Sequence, residues 1–339
     1  MALGSSAFAG RTPSARIQYL LHVYPTIAPA IVLLLALTIF ALIVGERFIH
    51  PFNLSLIMQQ VTLIAILAVA QTLIILTAGI DLSVGAIMVL SSVVMGQMGV
   101  TLGLPGWLAV LIGFGVGTLA GLINGLLVVR FRLPPFIATL GTWNIFFALN
   151  LWYSGSQTIR SQDVSADAPF LQWTGRIALD VFGAKVPIGS LLVVFLFVLF
   201  WYLLRYTAWG RHVYAVGDAP QAARLSGIND KRVLLSVYAI AGLICAVAGW
   251  VLIGRIGSVS PQAGYTANLD SITAVVIGGT SLFGGRGAIF GTLIGALAVG
   301  VFRNGLALAG VDVLWQEFTV GALIIIAVGI DQWLRRSPS

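Results

Sequence analysis

Charge is scarce in this sequence. Asp, Glu, Lys and Arg make up 9% of its 339 residues against 59% hydrophobic ones, and mean hydropathy is +1.01. Soluble domains carry about 25% charged residues, so the chain is expected to lie in a lipid bilayer, with no room for a soluble catalytic or nucleotide-binding domain. Cysteine is nearly absent. The single Cys245 sits in an apolar run, which excludes an intrachain disulfide and any cysteine-based metal site and leaves the thiol to pack as a small hydrophobe. No metal ligands are expected. Carboxylates are missing from the middles of the apolar runs, for Asp81, Asp270, Asp312, Glu317 and Asp331 all fall at or near run ends. An ionised group at mid-span costs roughly 2.5–3.5 kcal/mol on insertion scales and marks ion coupling or proton relay. Its absence argues against a proton- or sodium-driven carrier. The net charge of +7 would point to nucleic acid in a soluble chain; here basic residues retained on the cytoplasmic side explain it, and no nucleic-acid partner is expected.

What is present is a series of apolar runs at 27–44, 55–77, 83–99, 106–129, 135–153, 187–205, 233–254, 268–282, 287–303 and 313–331. At roughly 20 residues per span they predict an all-α, polytopic membrane helix bundle of about ten transmembrane helices, forming one domain over 1–339. The N-terminus lacks the charged region, short apolar stretch and cleavage site of a signal peptide, so 27–44 reads as a retained first span after a cytoplasmic segment 1–26. With the N-terminus inside, the inner connections hold Arg11, Arg16, Arg130, Arg132, Arg205, Arg211, Arg224, Lys231, Arg232, Arg286, Arg335 and Arg336. The outer ones hold Arg47, Arg160, Arg176, Lys185, Arg255 and Arg303. Twelve against six places both termini in the cytoplasm, and the long connection 154–186, with Phe170 and Trp173, outside as a docking surface or a plain solvated loop.

Small residues recur every fourth position: Gly113, Gly117, Gly121 and Gly125 in one run, Gly287, Gly291 and Gly295 in another. Such rows let helix backbones approach closely in lipid, where apolar burial does not drive association, and they read as packing seams. Neutral polar residues also share helical faces, Gln60 with Gln71 and Thr139 with Trp143 and Asn150. Amides, hydroxyls and aromatic faces suit a neutral, hydroxyl-rich solute such as a sugar; hydrogen bonding that merely joins helices is the alternative for each. Asp81 reads as a turn carboxylate accepting from Ser83 or Val84 N–H, or as a gating group.

The polar break between Arg205 and Arg232 is the part able to meet a soluble partner. Asp218 followed by Gln221 predicts a helix start, and Gly227 its stop, giving a short helix over 219–226. Two turns are too few to stand alone in water, so this segment leans on something or is an ordinary interfacial loop. A short internal echo accompanies it: Gly79 to Ile87 and Gly279 to Ile289 both place a Gly-rich turn between two runs and end in Gly-Ala-Ile.

Four stretches carry a resemblance: 77–85 (TAGIDLSVG), 133–141 (LPPFIATLG), 210–228 (GRHVYAVGDAPQAARLSGI) and 277–287 (IGGTSLFGGRG). Together they resemble the permease subunits of bacterial ATP-binding-cassette sugar importers of the ribose, xylose and fructose type, and the wording is similar to rhizobial fructose permeases. The resemblance implies an inner-membrane homodimer, with a cytoplasmic ATPase below and a periplasmic sugar-binding protein above. It implies that the cytoplasmic loop 206–232 contacts the ATPase through Gly210, Arg211, Tyr214, Gly217, Asp218, Pro220, Ala222, Ala223, Arg224 and Gly227, and that the chain is a transport subunit and not an enzyme. ATP and Mg would belong to the partner, because the run at 277–287 lacks the Gly-Lys-Ser/Thr ending of a phosphate-cradling loop, and no cofactor is expected on this chain. Gln60, Gln71, Asp81, Thr139, Trp143 and Asn150 are the candidate sugar-pathway residues. An autonomous carrier or channel for a small neutral solute, and a scaffold without transport, remain the competing readings.

Overall fold

The computed structural model describes residues 26–264 and 266–335. Residues 1–25, with Arg11 and Arg16, and Arg336 lie outside the described residues. In chain order, α1 (Ile27–Val44) and the one-turn α2 (Glu46–Ile49) lead to α3 (Pro51–Leu76), then α4 (Val84–Gly96) with a π-helical extension (Gln97–Thr101), α5 (Gly106–Arg130) and α6 (Pro135–Ser154). A folded connection follows: α7 (Ser161–Asp167), a 3-10 turn (Pro169–Gly175) and the antiparallel hairpin β1 (Ile177–Val181) and β2 (Ala184–Pro187). The chain continues through α8 (Ile188–Tyr206), the short α9 (Ala208–Asp218) and α10 (Pro220–Leu225), α11 (Asp230–Ile256), α12 (Ala267–Ile277), α13 (Ile289–Leu308) and α14 (Val313–Arg335). Among the described residues, six helices are long and apolar enough to cross a membrane: α3, α4 with its extension, α5, α8, α11 and α13.

Helix ends shift from the sequence reading for local reasons. α3 begins at Pro51 and not at 55, because proline at the first position gives up no hydrogen bond and His50 Nδ1 accepts from Phe52 N at 3.3 Å. α11 begins at Asp230, earlier than 233, because Asn229 caps it by accepting from Arg232 N at 3.1 Å. The run 268–282 is helical only to Ile277, since Gly278 and Gly279 follow and Gly279 adopts φ +79°.

Helix α3 is buried from Val61 to Leu76 and α4 along its whole length, as expected of helices apolar on every side. Around them, α11 packs on α3, α4 and α5; α13 packs on α1, α3 and α12; and α6 packs on α4. The periphery shows Leu191, Val194, Phe195 and Val198 of α8, exposed and apolar, as a lipid-facing surface requires.

Close approach replaces apolar burial as the joining force. On α5, Gly117 and Gly121 lie against Gly242 of α11, where a Cβ added to Gly117 would stand 2.6 Å from the Gly242 carbonyl oxygen. Gly113 abuts Met95, and Gly125 abuts Tyr238. Gly291 and Gly295 of α13 lie against Gly278 and Ala274. Gly287 is not part of that seam: it precedes α13, in a turn facing Thr280. Polar pairs add to the joints. Asn53 and Asn304 exchange amide hydrogen bonds at 3.0 and 2.9 Å, Thr72 meets Thr292 at 2.9 Å, and Arg303 binds Asp270 at 2.7 Å and Glu317 at 2.9 Å. The thiol of Cys245 is fully buried.

Gly121→Ala should therefore overpack the α5–α11 seam by about 1–3 kcal/mol, lowering the melting temperature in detergent by several degrees. Gly321→Ala, whose added Cβ meets nothing within 4 Å, should leave it unchanged. Equal melting curves for the two variants would refute the seam.

Candidate functional site

Two features stand together at one end of the bundle. The first is the break between α3 and α4. Helix α3 stops at Leu76, Ala78 turns left-handed at φ +60°, and the chain runs non-helically to Ser83. Asp81 is buried there. Its Oδ1 accepts from Ser83 N and from Ser83 Oγ, both at 2.6 Å, and its Oδ2 accepts from Asn124 Nδ2 at 3.2 Å. Asn124 also donates to Ser83 Oγ at 2.7 Å and accepts from Thr142 Oγ1 at 2.7 Å. The loop backbone is held from three further sides. With its amide nitrogen turned toward the Asp81 carbonyl, Gln71 donates at 3.1 Å and accepts from Asp81 N at 3.3 Å. Thr139 Oγ1 accepts from Leu82 N at 3.1 Å, and Asn268 Nδ2 donates to the Leu82 carbonyl at 3.2 Å.

Of the six candidate pathway residues, Gln71, Asp81 and Thr139 thus converge on this loop, and their polar atoms are engaged in holding it. Trp143 follows one turn after Thr139 on α6, half-buried. Gln60 is half-buried eleven residues before Gln71, about 16 Å away along the α3 axis. Asn150 is buried toward the opposite end, donating to the Pro261 carbonyl at 2.6 Å. The Ser83 N–H is one of the two donors expected for Asp81 from sequence, whereas Asn124, Thr142 and Asn268 were not singled out. A signal existed for Asn124, which follows Gly121 by three and Gly117 by seven and so lies on the close-packed row itself.

The second feature is the pair α9–α10. Thr207 caps α9 by accepting from Gly210 N at 3.2 Å, and the helix buries Gly210, Val213, Val216 and Gly217 while exposing Arg211. Burial pushes the Tyr214 phenol above its ordinary range. Asp218 does not start the next helix; it ends α9, and α10 starts at Pro220, whose ring fixes the helical φ. Of the α10 residues, Ala223 alone is buried, and Leu225 is 91% exposed. Gly227 ends the turn at φ +84°, its N–H donating to the Arg224 carbonyl at 3.0 Å. Arg224 Nε donates to Asp230 Oδ2 at 2.8 Å, tying α10 to the first turn of α11, and this carboxylate raises the guanidinium pKa further. Ala219, Pro220, Gln221, Ala222 and Arg224 border a hollow of about 490 Å³.

At the opposite end the connection 154–186 is a folded element and not a plain solvated loop. Trp173 stacks on Trp250 with centroids 5.8 Å apart, Ile159 bridges to Val259, and Gln172 donates to the Gly257 carbonyl at 2.7 Å. Ser161, Ser165, Gln172, Arg176 and Arg255 help line a hollow of about 520 Å³ there. No group of three or more His, Cys, Asp or Glu is placed to hold a metal among the described residues.

Comparison with known proteins fits a membrane-spanning transport component. A family profile described as the branched-chain amino acid transport system / permease component matches residues 53–328. The chain is 56% identical over 326 residues to a fructose import permease protein of Rhizobium meliloti, covering 96% of this chain and 90% of that one. It is 41% identical over 299 residues to a ribose import permease protein of Bacillus subtilis, covering 88% and 90%. It is 32% identical to a xylose transport system permease protein of Escherichia coli, covering 93% of each chain. A buried loop held by its own bundle, an exposed short helix beside it and matches of this extent lead to one conclusion: the chain belongs to the permease component family of the branched-chain amino acid transport system type.

Proposed function

We propose that this chain is the membrane-spanning subunit of an ATP-driven importer of a pentose or hexose, working as a homodimer in a bacterial inner membrane. The observation that carries the reading is α9–α10: an apolar Leu225 and a nearly fully exposed short helix are held rigidly at one end by Thr207, Arg224 and Gly227. A carrier acting alone has no use for such a projection, whereas a permease driven by a separate ATPase needs a surface of this kind. ATP and Mg then belong to that ATPase, and the folded element 154–186 at the opposite end is the docking side for a periplasmic sugar-binding protein.

The relatives named for fructose, ribose and xylose support a sugar as the substrate class, and the extent of the first match favours fructose. In this reading α1, α6, α12 and α14 complete a ten-helix bundle with the six long spans, and both termini are cytoplasmic. Such an arrangement places α9–α10 and the loop 77–83 on the inner side, together with most of the arginines, as the charge asymmetry requires.

Vesicles holding this chain should take up fructose only when ATPase, binding protein and ATP are all supplied. Uptake by the chain alone would establish the autonomous carrier in its place. Ala222→Glu, which puts a charge on the exposed face of α10, should cut uptake at least about tenfold, the equivalent of 1.4 kcal/mol, and weaken ATPase co-purification without changing the melting temperature. Asp81→Asn keeps an acceptor for Ser83 and should retain most uptake, while Asp81→Ala should reduce folded protein. Loss of uptake in a well-folded Asp81→Asn variant would show instead that the charge itself works in transport.

A further inference from the structure

The end of α9 rests on the broken end of α3. Gly217 lies so close to the Leu76 carbonyl that no side chain fits between them, and this same carbonyl accepts a hydrogen bond from Gly285 N at 3.0 Å. Leu76 O is one of the last carbonyls of α3, which have no partner within the helix. Gly284, at φ +83°, completes the contact: a Cβ there would stand 2.8 Å from Ala78 Cβ and 2.8 Å from the Gly217 carbonyl oxygen. An added Cβ on Gly285 would stand 2.6 Å from Asp218 Cα. Close by on α9, Tyr214 Oη donates to the Gly287 carbonyl at 3.0 Å. Three backbones therefore meet with no side chain between them: the end of α9, the turn 278–288 and the end of α3. Gly284 of the second echo stretch here touches Ala78, the residue immediately before the first.

Contact of this kind differs mechanically from side-chain packing. Side chains can absorb a displacement by changing rotamer, but backbones in direct contact cannot slide without overlap or a lost hydrogen bond. On one side of the contact, α9 continues through a single residue, Ala219, into the exposed α10. On the other, α3 continues directly into the loop 77–83, which Thr139 of α6, Asn124 of α5 and Asn268 of α12 hold. A displacement of α10 has here a short, stiff route into four helices of the bundle.

We propose that Gly217, Gly284 and Gly285, closed on the Leu76 carbonyl, form a rigid joint that delivers movement of α10 to the loop 77–83, making them positioning residues for energy coupling. The proposal rests on the importer reading above. Glycine is required at these positions because a methyl group wedges the joint open; hydrolysis on the partner then continues while the loop no longer follows.

The test is to reconstitute the complete importer with wild-type, Gly217→Ala, Gly285→Ala, Tyr214→Phe or Gly321→Ala chain, and to measure fructose uptake and ATP hydrolysis on the same vesicles. Substitutions along a coupling route shift coupling by roughly two- to thirty-fold. Gly217→Ala and Gly285→Ala are expected near the upper end of that range in uptake per ATP, and Tyr214→Phe, which removes one hydrogen bond and adds no bulk, near the lower. Gly217 and the Tyr214 hydroxyl turn inward, onto Leu76 and Gly287 and away from the exposed surface of α10. Hydrolysis and ATPase retention should therefore stay within about twofold of wild type, and the Gly321→Ala control should match wild type. A merely structural role would lower uptake and hydrolysis together, and that outcome overturns the joint; so does wild-type uptake per ATP in all three variants. Should the glycine variants fail to insert, Tyr214→Phe decides alone by the same ratio. Uptake indifferent to ATP in the wild-type vesicles would instead remove the importer reading, separately from the joint.

Discussion

A break in a helix buried among other helices leaves backbone donors and acceptors beyond the reach of bulk water, and each must find a partner within the protein. The end of α3 at Leu76 sets that requirement, and much of the neighbouring polar chemistry answers it. Gln71, Thr139 and Asn268 turn their polar groups to the backbone of Asp81 and Leu82, Asn124 steadies the Asp81 side chain, and Gly285 satisfies the Leu76 carbonyl. Side chains that read singly as candidates for a solute path here hold irregular backbone. The scarcity of polar residues in the bundle makes their concentration around one loop more telling.

Backbone proximity is the second ordering principle. Where α5 crosses α11, and where α13 meets α12, glycine brings main chains into contact that side chains elsewhere keep apart. In lipid such contact supplies dispersion and excludes solvent without any preference for apolar over apolar. The price is intolerance of added volume, so these positions carry information that hydropathy alone does not.

Much of the architecture was legible because buried apolar helices write themselves as apolar runs. The ten runs read from sequence fall on helices with ends shifted by a few residues at most sites, and six of those helices are, among the described residues, long and apolar enough to cross a membrane. Asn229 and the Gly278–Gly279 pair explain two of the shifts, and both are local signals that a hydropathy reading averages away. α9 was missed because it is amphipathic and only half-buried, with Thr207 as its cap; Asp218, read as the start of the next short helix, is the last residue of α9. The folded connection 154–186 was missed for another reason: its order comes from distant partners, Trp250, Gly257 and Val259, which no local pattern announces. Pairing across the chain likewise hid the site. Gln71 and Asp81 are near in sequence, but Asn124, Thr139, Thr142 and Asn268 reach the loop only through the packing of α3, α5, α6 and α12. The stretch 279–289 read as an echo of 79–87, and the contact of its Gly284 with Ala78, immediately before the first stretch, needed the fold to appear.

The one thiol of the chain, Cys245, has no accessible surface. It packs in the interior of α11 among apolar neighbours, where a water-soluble maleimide has no approach. Cysteines placed by design along α6, α10 or the hairpin tip can therefore be read in the native sequence, without first replacing the natural one, and spin or fluorescent labels will report single chosen positions.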